Sequence, residues 1–234
     1  FSPRDTRSTL LAWYADLFDS AVSSAHLTGA FGVHKVFRAK LAEPRYVVRT
    51  VLLDQKPKPG QELPSTDSDV QAVWGNYLRR AVLDQWAAER LTNFNTWVKF
   101  VHTKIILVDP LTLSPTILTG SANYSDNSTT DNEENTVVIR GGAGGEGGDG
   151  YRAAQRVADI YLTEYQRLFM HFVFRDFAGS SSTGGPAGTA ADPRPDDALH
   201  LAEDDSWTRR YYEPGSRRAR QRTTFASKDG VPPG

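Results

Sequence analysis

The stretch HTKIILVD, from His102 to Asp109, decides the fold and directs the search for a functional site. Its second half is apolar and β-branched, and the longer segment from Trp97 to Asp109 is typical of a buried strand that ends at Pro110. Residues two apart on a strand point to the same face, so we expect the side chains of His102 and Lys104 to project together. By the same alternation Asp109 falls on the opposite face of the strand. This position favours an orienting or structural role for the Asp109 carboxylate over direct contact with a substrate.

The pattern HxKxxxxD is uncommon. With 5 His, 7 Lys and 19 Asp in 234 residues, chance alone gives about 0.01 matches in the chain. An imidazole is a nucleophile or a proton shuttle near neutral pH, and a lysine ammonium is a compact charge suited to phosphoryl oxygens. The pair therefore indicates chemistry on a phosphoryl group.

Two further polar motifs follow this strand. GSANYS, residues 120–125, comes directly after a predicted strand, and its Ser121, Asn123 and Ser125 share a parity that would offer hydroxyl and amide donors to an anion. DNEEN, residues 131–135, precedes another predicted strand, and a carboxylate there is placed to fix the tautomer of a catalytic imidazole. Its acidic residues lack the glycine and ligand spacing of an EF-hand, so we expect no metal site.

Along the rest of the chain, predicted strands alternate with predicted helices, which indicates a layered α/β domain. Residues 68–74 fit two structures, because Ser68 with Gln71 resembles a helix capping box while Val70, Ala72 and Trp74 alternate as in a strand. The other predicted strands cover 25–31, 46–53, 116–120 and 136–140, and the predicted helices cover 9–23, 33–41, 77–91 and 151–177.

The composition changes near the carboxyl end. We expect a main domain over residues 1–177, a flexible Gly/Ser/Pro-rich linker over 178–200, and a basic, aromatic segment over 201–234. The arginine block of this last segment fits either phosphate binding or a solvated face, and the sequence leaves both open. That block consists of Arg217, Arg218, Arg220 and Arg222.

Composition excludes several classes of protein. The chain contains no Cys, which removes disulfide scaffolds, thiol catalysis and Cys-ligated metals. No apolar run is long enough for a transmembrane helix, and a net charge of −1 gives no global positive field for nucleic acid. The chain begins at Phe1 and its only Met is Met170, so we expect it to be part of a longer polypeptide; its localisation is not readable.

The three motifs in this order resemble the phospholipase D superfamily. HxKxxxxD, then GSxNxS, then NxEN ahead of a strand match its spacing over about forty residues. Weaker likeness runs from FSPR at residues 1–4 to the helix containing ADIYLTEYQRLF. The closing WTRRYYEPGSRRARQRTTFA resembles the end of bacterial phospholipase D-like proteins. The resemblance implies an α/β/α sandwich with a mixed central sheet.

The resemblance also implies a mechanism. One histidine attacks phosphorus to form a phosphohistidine, while an opposed histidine protonates the leaving group and later activates water or an alcohol. On this chain His102 is then a catalytic histidine, either the nucleophile or the acid/base, and Asp109 completes its motif. Lys104 and Asn123 bind the phosphate oxygens with support from Ser121 and Ser125. Glu134 is the carboxylate partner of a histidine, and neither a metal nor another cofactor is required.

Only one HxK pair occurs in the chain, whereas the mechanism needs two motifs that face each other. We therefore expect the second motif in an upstream half of the same polypeptide or in a second copy of the chain. A phospholipid phosphodiester, hydrolysed or transferred with possible peripheral membrane contact, is the first expectation for the substrate. The alternatives are an endonuclease that cleaves DNA or RNA by the same mechanism, and a phosphate-binding half-domain without turnover.

Overall fold

The computed structural model describes residues 9–30, 32–63, 69–75, 101–141, 148–181 and 204–226. In these ranges a single six-stranded sheet carries helices on both faces. Within the same ranges, no helix is both long enough and apolar enough to span a bilayer.

The central sheet is mixed. Its strands are β1 Ser24–Gly29, β2 Val48–Leu53, β3 Val70–Trp74, β4 Ile105–Val108, β5 Thr116–Gly120 and β6 Thr136–Arg140. They lie side by side in the order β3-β2-β1-β4-β5-β6. The first three strands are parallel to one another, whereas β4, β5 and β6 each run antiparallel to the preceding strand in that order. The strand direction therefore changes between β1 and β4.

Among the described residues, five α-helices and one short 3-10 helix surround this sheet. They are α1 Thr9–Asp19, α2 Lys35–Ala42, α3 Asp126–Thr130, α4 Asp149–Ser181, the 3-10 helix Ser206–Tyr211 and α5 Arg217–Ala226. Helices α1 and α2 cover one face of the sheet, and α4 covers the other.

Two hydrophobic layers fill the space between sheet and helices. In β1 the side chains of Ala25 and Leu27 join the layer under α1 and α2, where Phe18 and Phe37 pack edge to face. On the other face, Tyr165 of α4 belongs to the second layer. Every residue of β1 and β2 is buried, as expected for central strands covered on both sides. The predicted α/β/α sandwich with a mixed sheet is confirmed.

A buried polar chain crosses the second layer. His26 Nδ1 lies 2.7 Å from Thr50 Oγ1, which in turn lies 2.8 Å from the Tyr165 hydroxyl. The imidazole also packs against the rings of Tyr165 and of Phe225 in α5, at 5.2 and 6.3 Å between centroids. Burial lowers the pKa of His26 to about 3, so the ring is neutral in the folded protein near neutral pH.

Several predicted elements are confirmed. The structure forms β5 and β6 over the residues that the sequence predicts, 116–120 and 136–140. Residues 70–74 form a strand, so the alternation of Val70, Ala72 and Trp74 was the better guide than the capping-box pattern. Pairing of this strand with β2 places Val70 opposite Arg49.

The predicted strand over 97–109 is too long. Residues 97–100 lie outside the described ranges, and residues 101–104 lie outside the sheet, which β4 joins only at Ile105. The reason is Thr28, whose side chain takes the place of the main-chain hydrogen bonds between strands at this point. Its hydroxyl donates to the Thr103 carbonyl at 2.7 Å and accepts from Ile105 N–H at 2.8 Å.

Two other expectations meet the structure only in part, and two cannot be compared with it. Helix α1 ends at Asp19, and Trp13 of its predicted apolar face is 41% exposed. Helix α4 continues to Ser181, past the boundary predicted at 177. The predicted helix over 77–91, and the predicted linker beyond Ser181 up to residue 200, lie outside the described residues.

The arginine-rich carboxyl segment packs on its own chain. Arg217 and Gln221 of α5 both donate to the side-chain oxygen of Gln71 in β3. The guanidinium of Arg220 lies 4.8 Å from the centroid of the Tyr46 ring. Part of the basic block therefore serves to attach α5 to the sheet.

Candidate active site

The sheet brings the sequence motifs to one edge. Because β4 runs antiparallel to β1 and β5, the start of β4 lies beside the ends of those two strands, with Ile105 opposite Thr119. The start of β6 meets the end of β5, with Thr136 opposite Gly120. The segments just before β4, just after β5 and just before β6 therefore converge there. Ligands of open α/β sheets commonly bind at such an edge, where the strand order changes direction.

Lys104 is the buried cation of this edge. The residue is 7% exposed, and its ammonium donates to the main-chain oxygen of His102 at 2.8 Å. Burial lowers the pKa of Lys104, and the negative charge of Glu134 acts in the opposite direction. A desolvated ammonium with further N–H donors is suited to an anion that replaces its lost hydration.

Residues 120–125 are fixed to the segment before β6. At Gly120 even a Cβ atom would clash with the main-chain oxygen of Asn135, so only glycine permits this approach. Ser121 N–H donates to that same oxygen at 3.1 Å, and the Ser121 hydroxyl accepts from Asn135 N–H at 3.0 Å. The side chain of Ser121 thus joins two motifs, GSANYS and DNEEN.

Asn123 and Ser125 follow in the same loop. Ser125 caps α3, since its hydroxyl accepts from Ser128 N–H at 3.4 Å, and its own N–H donates to the Asn123 carbonyl at 2.9 Å. The side-chain oxygen of Asn123 is buried and finds no hydrogen-bond partner among the residues that the structure describes. A buried amide oxygen without a donor is costly, and the N–H₂ of the same side chain is the group that can donate to an anion.

A cavity of about 180 Å³ joins these groups. The residues of its wall that carry the argument are Thr28, His34, Gln61, Lys104, Asn123 and Ser125. The Lys104 ammonium and the Asn123 N–H₂ are donors suited to a phosphoryl group, whereas the hydroxyls of Thr28 and Ser125 donate to the Thr103 carbonyl and to Ser128 Oγ.

His102 lies beside this cavity rather than in its wall. Its side chain is exposed, whereas that of Lys104 is buried. We expected the two side chains to share a face because of strand alternation, but residues 101–104 are not in the sheet and alternation does not apply to them. What joins the two residues is the hydrogen bond from the Lys104 ammonium to the His102 carbonyl.

Asp109 lies at the other end of β4. Its carboxylate accepts hydrogen bonds from the N–H groups of Val22, Ser23 and Ser24 at 2.7 to 3.1 Å, just where β1 begins. Five residues of extended chain separate it from Lys104, which corresponds to about 16 Å. The structure therefore does not bring Asp109 to the cavity, whereas Glu134 is close enough to affect the pKa of Lys104.

His34 is a cavity residue that the sequence motifs do not reveal. No Lys follows it two residues later, so the HxK pattern does not include it. The available signal was its position between β1 and α2, since the loop after a parallel strand lies at the ligand-binding edge of the sheet. In the described part of the chain, no three His, Asp or Glu side chains come together as a metal-binding group.

Comparisons with known proteins agree with this arrangement. A family model described as "Cardiolipin synthase, PLD-like domain" matches residues 20–146, whereas no curated protein gives a significant match. Among solved structures, the phospholipase D family member Nuc from Salmonella typhimurium is 18% identical, with a TM-score of 0.40 over 68% of this chain and 85% of that chain. NucT from Helicobacter pylori is 12% identical, with a TM-score of 0.41 over 70% of this chain and 93% of that chain. Likeness at this level carries no argument about substrate.

The family match includes all six strands and every residue that carries the cavity argument. It covers more than half of the 234 residues. The chain therefore belongs to the phospholipase D superfamily, as the order of its three motifs indicated.

Proposed function

We propose that this chain is the His102-bearing half of a phosphodiesterase that hydrolyses or transfers the head groups of phospholipids. The observation that supports it most is the meeting of two separate motifs in one cavity. Lys104 comes from the HxK motif, while Asn123 and Ser125 come from the GSxNxS motif, and all three line the same space. Superfamily members are phosphodiesterases, and this donor set suits a phosphoryl group.

The proposed reaction has two displacements at phosphorus. In the first, an imidazole nitrogen of His102 attacks, a P–N bond forms, one P–O ester bond breaks and the departing oxygen takes a proton from a general acid. In the second, water or an alcohol gives its proton to that same group, its oxygen attacks phosphorus, and the P–N bond breaks. In this proposal the exposed His102 ring acts from beside the cavity, next to Lys104.

The cavity residues stabilise the charge that develops on phosphorus. Lys104 and the amide N–H₂ of Asn123 donate to the two non-bridging oxygens, and Ser125, whose hydroxyl donates to Ser128 Oγ at 3.2 Å, supports the loop that carries Asn123. These donors are already held in place, which is the arrangement that lowers a barrier without reorganisation during the reaction. Ser121 positions the loop through Asn135, and Glu134 supplies the carboxylate that orients an imidazole.

The general acid is a second histidine on a second motif. We propose that an upstream half of the polypeptide or a second copy of the chain supplies it, facing His102 across the cavity. If two copies pair, the rate per chain rises with protein concentration until the pairs are complete. Gel filtration at the same concentrations shows whether the rise follows pairing.

A phospholipid is the proposed substrate for two reasons. The matching family model carries the name of a cardiolipin synthase, and the net charge of −1 provides no long-range attraction for a nucleic acid. The test is parallel turnover of phosphatidylcholine vesicles and of single- and double-stranded DNA by the full-length protein, with His102→Asn as the matched control. Head-group release with intact DNA is the expected result. DNA cleavage with intact lipid would contradict the choice of substrate, and activity that survives His102→Asn would contradict the mechanism.

A further inference from the structure

His34 has a fixed place in the cavity wall. It is the residue just before α2, and its ring nitrogen Nδ1 accepts from Val36 N–H at 3.4 Å. Because Val36 N–H can only donate, Nδ1 is the unprotonated nitrogen, and Nε2 carries the hydrogen of the neutral ring. The imidazole is thereby held at the cavity while its second nitrogen points to another element.

That second nitrogen reaches α3. Nε2 of His34 lies 3.1 Å from Oδ2 of Asp126, a residue 92 positions further along the chain. The His34 side chain is 14% exposed and that of Asp126 is 60% exposed. We call this contact the His34–Asp126 bridge. It connects the start of α2 on one side of the cavity with the start of α3 on the other.

Asp126 is continuous with the phosphate-binding loop. It directly follows Ser125, the cap of α3, and its main-chain oxygen accepts from the hydroxyls of Thr129 and Thr130 at 3.0 and 2.9 Å. The N–H of Ser125 in turn donates to the Asn123 carbonyl. The position of the Asp126 side chain is therefore coupled to the position of the backbone that carries Asn123.

We infer that His34 is a positioning residue, which acts through Asp126 to hold Asn123 and Ser125 at the right distance from Lys104 for a phosphate. The inference rests on the proposed function of the same cavity. The cavity wall supports it, because His34 lines the same space as Lys104 and Asn123 and its second nitrogen contacts the residue that directly follows Ser125. Asp126 is 60% exposed, so its hydrogen bond with Nε2 of His34 adds little to folding stability, and we assign its effect to the geometry of the site.

The first test measures binding of inorganic phosphate to the full-length protein by isothermal titration calorimetry. His34→Ala and Asp126→Ala are each expected to weaken phosphate binding about tenfold, and the double variant to weaken it by no more than either alone. Asp126→Asn keeps an oxygen that accepts from Nε2 and is expected to retain most of the affinity. Asp16→Ala is the matched control, because Asp16 is an exposed carboxylate whose bond to Lys40 joins α1 to α2 away from the cavity.

Three results would overturn the inference. The first is an unchanged affinity for phosphate in both single variants. The second is a loss of phosphate affinity of about a hundredfold in the double variant, which would mean that the two effects are independent. The third is an Asp126→Asn variant that binds phosphate as weakly as Asp126→Ala. The second test is turnover of bis(4-nitrophenyl) phosphate, where His34→Ala is expected to raise KM more than it lowers kcat. Phosphate binding by a protein that turns over no phosphodiester would contradict the proposed function and leave the bridge standing.

Discussion

The two ends of the sheet treat their polar groups differently. At the end away from the cavity, the carboxylate of Asp109 accepts from three N–H groups, and the guanidinium of Arg49 donates to both oxygens of Asp69 and to the main-chain oxygens of Lys40 and Glu43. At the cavity end, Lys104 bonds one carbonyl and the Asn123 oxygen has no partner in the described part of the chain.

The difference separates structural from functional polar residues. A buried charge that has all its hydrogen bonds stabilises the fold, and breaking such a set is expensive. The Lys104 ammonium has N–H donors beyond its one bond to the His102 carbonyl, and an anion can accept from them. Substitutions at the cavity end should therefore lower activity and leave stability unchanged, whereas substitutions at the other end should lower stability and leave activity unchanged.

The largest expected effect is at the cavity end. Lys104→Met removes the ammonium but keeps the length of the side chain, and it should lower kcat/KM about a thousandfold, or about 4 kcal/mol. The melting temperature should not fall, because the substitution also removes a desolvated charge. Activity assays and thermal unfolding on the same preparation check both parts. A variant that unfolds at a much lower temperature would place Lys104 with the structural group.

The reverse pattern is expected for Asp109→Ala. Loss of the carboxylate leaves the N–H groups of Val22, Ser23 and Ser24 without their acceptor and should lower the free energy of unfolding by about 3 kcal/mol. Urea unfolding measures this loss. The kcat/KM of the molecules that remain folded should stay close to the wild-type value, since Asp109 lies about 16 Å from Lys104. A large fall in kcat/KM at unchanged stability would show that Asp109 acts in the reaction.

His26, between the two ends, gives a smaller effect that depends on pH. Its pKa is about 3 in the folded protein and about 6.5 in the unfolded chain, so the unfolded chain binds the proton more tightly. The stability contributed by the neutral ring is complete above pH 6.5 and is lost as the pH falls from 6.5 towards 3. At pH 5 the loss should reach about 2 kcal/mol.

Urea unfolding at pH 7.5 and pH 5.0 measures that loss, with His26→Gln as the control that cannot be protonated. The wild-type protein should lose about 2 kcal/mol more than the variant between the two pH values. Equal losses in both proteins would show that His26 is not buried as a neutral ring against Thr50 and Tyr165.

Local patterns predicted much of this molecule. The strands β5 and β6 and the layered α/β class follow from hydrophobic alternation, because it depends on neighbouring residues, whereas the mixed central sheet was implied by the resemblance to the phospholipase D superfamily. Alternation also separated Asp109 from His102, although the structure separates Asp109 by the length of β4 rather than by the face of a strand. The motif order sufficed to place Lys104 and Asn123 in one cavity.

Long-range contacts were beyond the reach of those patterns. The end of the sheet at Ile105 depends on the hydroxyl of Thr28, which lies 77 residues earlier. The role of His34 depends on Asp126, 92 residues away, and no local spacing relates them. Side chains that replace a main-chain hydrogen bond of the sheet, or that connect two loops, leave no periodic signal in the sequence. For this reason the sequence analysis predicted His102 on a strand and did not identify His34 as a site residue.

The central claim is that His102 is the group that attacks phosphorus. The most direct measurement is rapid quenching of the full-length protein with a substrate labelled on phosphorus, followed by peptide mapping of the acid-labile label. The account predicts a phosphoramidate on the peptide that contains His102, and its disappearance in His102→Asn. A label on another residue, or one that persists in that variant, would contradict it.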